Sequence, residues 1–170
     1  MNLKRDASRQ QAARRGTAWG SLLAVVAAAT AACSASPLVP SEVRELDRAE
    51  VRWAARPFRA YSIEMKTSCF CPPIIDQWAR VEVVSDSVTR VVLVDSGTEV
   101  TAAERPSFRT VEWLFSTIRT AQDAEWVKDV VASYDPVLGF PTYVSFVPKD
   151  GITDAGSVHY LRNAAALPGH

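Results

Sequence analysis

From Phe58 onward the hydrophobic period of the chain is two. Tyr61, Ile63, Met65, Thr67, Cys69 and Cys71 fall on one side and Ser62, Glu64, Lys66 and Ser68 on the other, which is the pattern of a strand with one face buried. The alternation predicts that both cysteines continue the inward row. Pro72-Pro73 closes the strand, because proline has no N–H for a ladder. Two valine-rich runs, Ala79 to Val84 and Val88 to Val94, flank Ser85-Asp86-Ser87 and predict a hairpin.

Further along, Ser96 to Arg109 reads as a polar loop, and a helix follows it. Thr110 is its expected N-cap, Glu112 lies in the first turn, and Val111, Leu114, Phe115 and Ile118 form an apolar stripe. Asp129 to Tyr134 and Thr142 to Val147 are again strand-like, Ser157 to Leu161 is a last strand, and Asn163 to His170 is expected to fray. Ahead of all these, Ser41 is a candidate N-cap for a short helix reaching about Arg56. Val43, Leu46 and Trp53 lie on one side of it, Glu50 interrupts them, and Pro57 ends it. Three strands, a helix and three strands do not alternate as parallel βαβ units do. The expected fold is therefore α+β: an antiparallel sheet of about five to six strands packed on one main helix, with a short N-terminal helix, over residues 41–165.

Residues 1–32 have a different character. Lys4, Arg5, Arg9, Arg14 and Arg15 precede an apolar stretch from Ala18 to Ala29, too short for the ~20 residues of a membrane span and suited to a cleavable signal peptide. Thr30-Ala31-Ala32-Cys33 resembles a lipobox, with Thr30 where a Leu-like residue is usual. Cys33 is thus the expected lipidation site and the first residue of the mature chain. An ordinary signal-peptidase site after Ala31 or Ala35 is the alternative. Arg14-Arg15 lacks the apolar pair that a twin-arginine signal carries after it. Residues 33–40, small and proline-containing, read as a tether.

Five of the 19 basic and one of the 19 acidic residues lie in that leader, leaving 14 and 18 beyond it. A domain with that acidic balance is not built for nucleic acid. With Cys33 set apart, Cys69 and Cys71 remain as a pair, expected to be oxidised in an exported domain.

Trp53, Tyr61, Cys69-Phe70-Cys71-Pro72, the helix start Thr110-Val111-Glu112-Trp113-Leu114-Phe115, and Tyr134-Asp135-Pro136 followed by Gly139-Phe140-Pro141-Thr142 form a combination. It resembles the bacterial family known as domain of unknown function 6174, over roughly residues 53–160. The resemblance implies an exported, often lipoprotein-like domain and brings no activity with it.

Candidate chemistry is sparse. Cys69 and Cys71 could be a structural clip, a redox-active pair or, with two sulfurs and no nearby histidine, a poor metal site. The Tyr134 to Thr142 segment has the proline and glycine chemistry of an ordered loop, while Tyr134, Phe140 and Tyr143 could instead line a recognition surface. Asp150-Gly151-Ile152-Thr153-Asp154 lacks the oxygen ligands of a calcium loop. His159 and His170 have no visible partner, Ser107 and Ser116 no nucleophile-elbow setting, and Trp53, Trp113 and Trp126 read as packing anchors. The expectation is a non-enzymatic envelope lipoprotein without cofactor or metal, held to the membrane by its lipid and serving either as a binding module for an unknown envelope protein or ligand or as a structural module. The alternative is a thiol–disulfide protein using Cys69 and Cys71, or a soluble secreted form.

Overall fold

The computed structural model describes residues 40–152 and 154–169. The segments expected to be signal peptide and tether, up to residue 39 and including Cys33, lie outside the described residues, as do Thr153 and His170. Helix α1 spans Pro40–Ala54 and strand β1 Tyr61–Cys69; β2 (Ala79–Val84) and β3 (Ser87–Leu93) follow. Helix α2 covers Val111–Thr120, and β4 (Val127–Tyr134), β5 (Pro141–Pro148) and β6 (Ser157–Ala166) complete the chain. The six strands form one antiparallel sheet in the order β3-β2-β1-β6-β5-β4. The fold is α+β and mostly sheet.

Side-chain alternation puts Tyr61, Ile63 and Met65 of β1 on the same face as Val83, Val81 and Ala79 of β2, their register partners. Both helices add to the buried cluster on that face: Leu46, Ala49 and Trp53 from α1, and Val111, Leu114, Phe115 and Ile118 from α2. Arg119 of α2 joins the helices by pairing with Asp47 and Glu50 of α1, which explains the acidic residue interrupting the α1 stripe. Thr110 caps α2, its side chain accepting from the Trp113 N–H at 3.1 Å. The expected ranking of the helices differs, since α1 has 15 residues and α2 has 10. Ser41 sits inside α1, which already includes Pro40.

Three strand expectations are corrected. β1 stops at Cys69 and the chain bends at Phe70 and Cys71, so Cys71 leaves the inward row. The segment after Leu161 pairs instead of fraying: β6 runs to Ala166, opposite Tyr61, and Asn163 takes a positive φ of 57° where the register shifts. Glu64, expected on a solvent face, is 6% exposed. Arg80 of β2 and Arg162 of β6 sit across from it and donate to its carboxylate, as does Asn163. Burial raises the Glu64 pKa, but the bonds from Arg162, Arg80 and Asn163 outweigh that and hold it below the ordinary carboxylate value.

The hairpin between β2 and β3 forms where the sequence predicts it, with Ser85 and Asp86 both at positive φ, as a two-residue turn demands. In the β4–β5 loop, Asp135 Oδ1 accepts from the Val137 and Leu138 N–H groups. Gly139, with φ of +85°, lies directly against the Ala49 carbonyl of α1.

Candidate functional site

At one end of the helix-covered face, the sheet and helices do not fill the space between them. Register places Met65, Thr67 and Cys69 of β1 beside Leu161, His159 and Ser157 of β6. The first turn of α2 brings Trp113 and Leu114 over these residues, while Ile75 and the Phe108–Thr110 approach close the sides. A cavity of about 250 Å³ remains, just under the ~300–1,000 Å³ usual for small-molecule sites. Its walls are mainly apolar.

His159 supplies the main polar group. Its Nδ1 lies 3.0 Å from Thr67 Oγ1 and its Nε2 3.2 Å from Ser157 Oγ. A neutral imidazole donates from one nitrogen and accepts at the other, so one hydroxyl accepts and its counterpart donates. Phe146 and Trp113 meet the ring edge-on. Burial pushes the His159 pKa down to about 4, so the ring is neutral at pH 7. The Ser157–His159 pair has the outline of a nucleophile and base, but Thr67 stands where a carboxylate would orient and stabilise an imidazolium. The arrangement presents a neutral cluster of one imidazole and two hydroxyls in a mainly apolar cavity, with the hydroxyls keeping the spare hydrogen-bonding capacity.

Cys69 lines this cavity and is joined to Cys71 by a disulfide. The bend brings the two Cα atoms to 5.2 Å, closer than the ~6.6 Å of same-face neighbours on an extended strand. Phe70, between them, is 85% exposed. Arg109 lies at the rim with its guanidinium 5.2 Å from the Trp113 ring centre.

Tyr134, Phe140 and Tyr143 do not converge. Phe140 is buried against Trp53, Tyr134 stacks on Phe115, and Tyr143 meets Tyr160, whose partner across β1 is Lys66 on the other sheet face. Burial, then the charges of Glu50 and Glu45, push the Tyr134 phenol well above its ordinary pKa. Of the three tryptophans read as anchors, Trp53 is buried, Trp126 is partly buried against the core and Trp113 is 39% exposed at the cavity. Ser107 also lines the cavity, Ser116 is exposed, and Asp150 pairs with Lys128. Among the described residues no three His, Cys, Asp or Glu side chains gather as metal ligands would, and no helix is long and apolar enough to cross a membrane.

The partners of His159 escape a reading of the sequence because they sit on another strand and two residues away on its own. The one available signal is that Ser157, His159 and Leu161 alternate as Thr67 and its neighbours do.

Fold and cavity together define a small α+β domain with a single-ended, mainly apolar recess under its second helix. Residues 45–166 match the model of the Family of unknown function (DUF6174), and the chain belongs to that family. No curated protein and no solved structure matches it.

Proposed function

We propose that this is an exported envelope protein, anchored by a lipid on Cys33, whose domain binds a small and largely apolar ligand without transforming it. The cavity beneath α2 carries the reading: its walls are mainly apolar, and the histidine inside it is held neutral by burial. Small-ligand sites commonly combine such walls with a few placed polar groups. Export and anchoring rest on the charge, length and small-residue exit of residues 1–33.

Titration with 1-octanol, followed by calorimetry, tests the binding reading. Saturable binding in the native protein that is lost when Ile75→Phe fills the cavity is the expected result; no saturable heat in either protein would reject the reading. Mass spectrometry of the mature N-terminus tests the anchor, and an unmodified Ser34 or Ser36 start would end that part of the proposal.

One observation favours a second, redox reading: the Cys69–Cys71 bond borders the cavity beside an exposed Phe70. A reduction potential below about −300 mV, as structural disulfides have, would remove it.

A further inference from the structure

We propose that the ligand is an anionic amphiphile, with its apolar part in the cavity and its carboxylate or phosphate at Arg109. This rests on reading the cavity as a ligand site. Inside, Met65, Ile75, Phe108, Leu114 and Leu161 offer apolar contact, and the Thr67 and Ser157 hydroxyls bonded to neutral His159 offer remaining hydrogen-bonding capacity but no counter-charge. The charge is at the exit. Phe108 and Arg109 line both the cavity and an adjoining shallow depression that also holds Arg105.

Neither arginine is neutralised by the protein. Elsewhere Arg56, Arg80, Arg90, Arg119 and Arg162 pair with carboxylates; among the described residues Arg44, Arg48, Arg52 and Arg59 do not, and Arg109 differs from those four in lining the mainly apolar cavity. Among the described residues no carboxylate pairs with Arg105 or Arg109, and Arg105 Nε is buried with no acceptor. Glu104 turns to Thr101, accepting its hydroxyl at 2.7 Å. Glu112, at the start of α2, is occupied by Trp53, Arg56 and Tyr61.

Arg109 is also pre-placed. Its contact with the Trp113 face holds the guanidinium at the rim, so less side-chain freedom is lost when an anion arrives. A guanidinium takes carboxylate and phosphate oxygens through a planar fork of donors, whereas an ammonium headgroup would meet like charge. The cavity holds roughly eight times the ~30 Å³ share of one water, which limits the apolar part to one short chain or ring.

Calorimetry with octanoate, octyl phosphate, 1-octanol and octylammonium separates the contributions. Octanoate, octyl phosphate or both are expected to bind about tenfold tighter than octanol, the worth of one charge-assisted contact, with octylammonium weakest. Which anion leads tells a carboxylate source from a phosphate one. Arg109→Gln is expected to bring the anions to the level of octanol, and Arg109→Lys to recover part of the difference. Thermal melts report whether these rim variants fold; if one does not, the anion-to-alcohol ratio of the native protein decides alone. Equal affinity for octanol and both anions, or an Arg109→Gln protein that keeps the anion preference, would overturn this inference and leave the cavity reading standing. No saturable binding of any probe would remove both.

Discussion

The two ends of β1 obey the same alternation and meet the helices in opposite ways. At Tyr61 and Ile63 the inward row is fully buried. Trp53 stands edge-on to Phe58, Tyr61 and Phe140, and the Arg56 guanidinium lies 4.1 Å above the Trp53 ring centre. The charge of Glu112 is met by three donors: Trp53 Nε1 at 2.8 Å, Arg56 at 2.9 Å and the Tyr61 hydroxyl at 2.7 Å. That hydroxyl also accepts from the Val111 N–H. Burial, and then Glu112, push the Tyr61 phenol far above its ordinary pKa, so it stays a donor. At Thr67 and Cys69 the same row faces a void, a neutral histidine and two hydroxyls. Stability is concentrated where a buried charge is fully met, and room for a ligand is left where the interior groups are neutral and the one charge, on Arg109, stands at the rim.

Removing the carboxylate is the strongest way to break this contrast. Glu112→Ala strands the Arg56 charge, whose side chain is only 6% exposed, together with two ring donors. Leaving such groups unpaired is expected to cost about 3–4 kcal/mol, read as a lowered denaturant midpoint. Trp113→Ala, on the cavity side of the same turn, should cost far less. Equal losses would mean that the two ends are not energetically distinct.

Acid tests the cavity end next. The His159 pKa is about 4 in the folded chain and near the ordinary ~6.5 when unfolded, so below that value the unfolded chain binds a proton that the fold resists. This contribution to stability is complete above pH 6.5 and is lost as pH falls toward 4, amounting to about 2.5 kcal/mol between pH 7.5 and 4.5. His159→Gln should flatten that limb of the pH–stability curve. A native curve that is already flat from pH 7 to 5 would show that the ring is not held neutral.

Gly139 probes the sealed end from behind. A Cβ there would overlap the Ala49 carbonyl oxygen and lie 2.8 Å from Arg52 Cβ, on a backbone with φ of +85°. Gly139→Ala is therefore expected to cost about 2 kcal/mol. It should also disturb near-ultraviolet circular dichroism through Trp53, while cavity ligands still bind. Lost ligand binding at preserved stability would couple the two ends that the packing keeps apart.

What the sequence showed of these two ends differs for a physical reason. Period-two and helical stripes are local, so the inward row from Tyr61 to Cys69 and the stripe from Val111 to Ile118 were legible, as was the Ser85-Asp86 turn. Features made by register were not. Glu64 reads as solvent-facing because the arginines and the asparagine that bury it lie 16, 98 and 99 residues away. The end of β6 reads as a frayed tail because Ala164, Ala165 and Ala166 carry little strand preference, and pairing of Ala165 and Ala166 with β1 holds it. The cavity is the extreme case, since no residue encodes a void. It arises where β1 meets β6 in one register and α2 begins. The Tyr134-Asp135-Pro136 to Pro141 motif was legible as turn chemistry, but its purpose of docking Gly139 and Phe140 on α1 needed the neighbouring helix.

The disulfide carries the smallest expected effect and the finest test of the contrast. Cys69 and Cys71 are two residues apart, so the bond closes a very short loop and constrains the unfolded chain little. By the loop-entropy relation, removing it costs about 1.5 kcal/mol. In a Cys69→Ser, Cys71→Ser double variant the bend at Phe70 is free to straighten toward the strand, moving the cavity wall that Cys69 supplies. Octanol affinity should therefore fall by a larger factor than the modest stability change suggests, while the near-ultraviolet signal of Trp53 stays as it was. A stability loss above about 3 kcal/mol would instead make the bond part of the sealed structure, because a three-residue loop cannot account for that much through chain entropy.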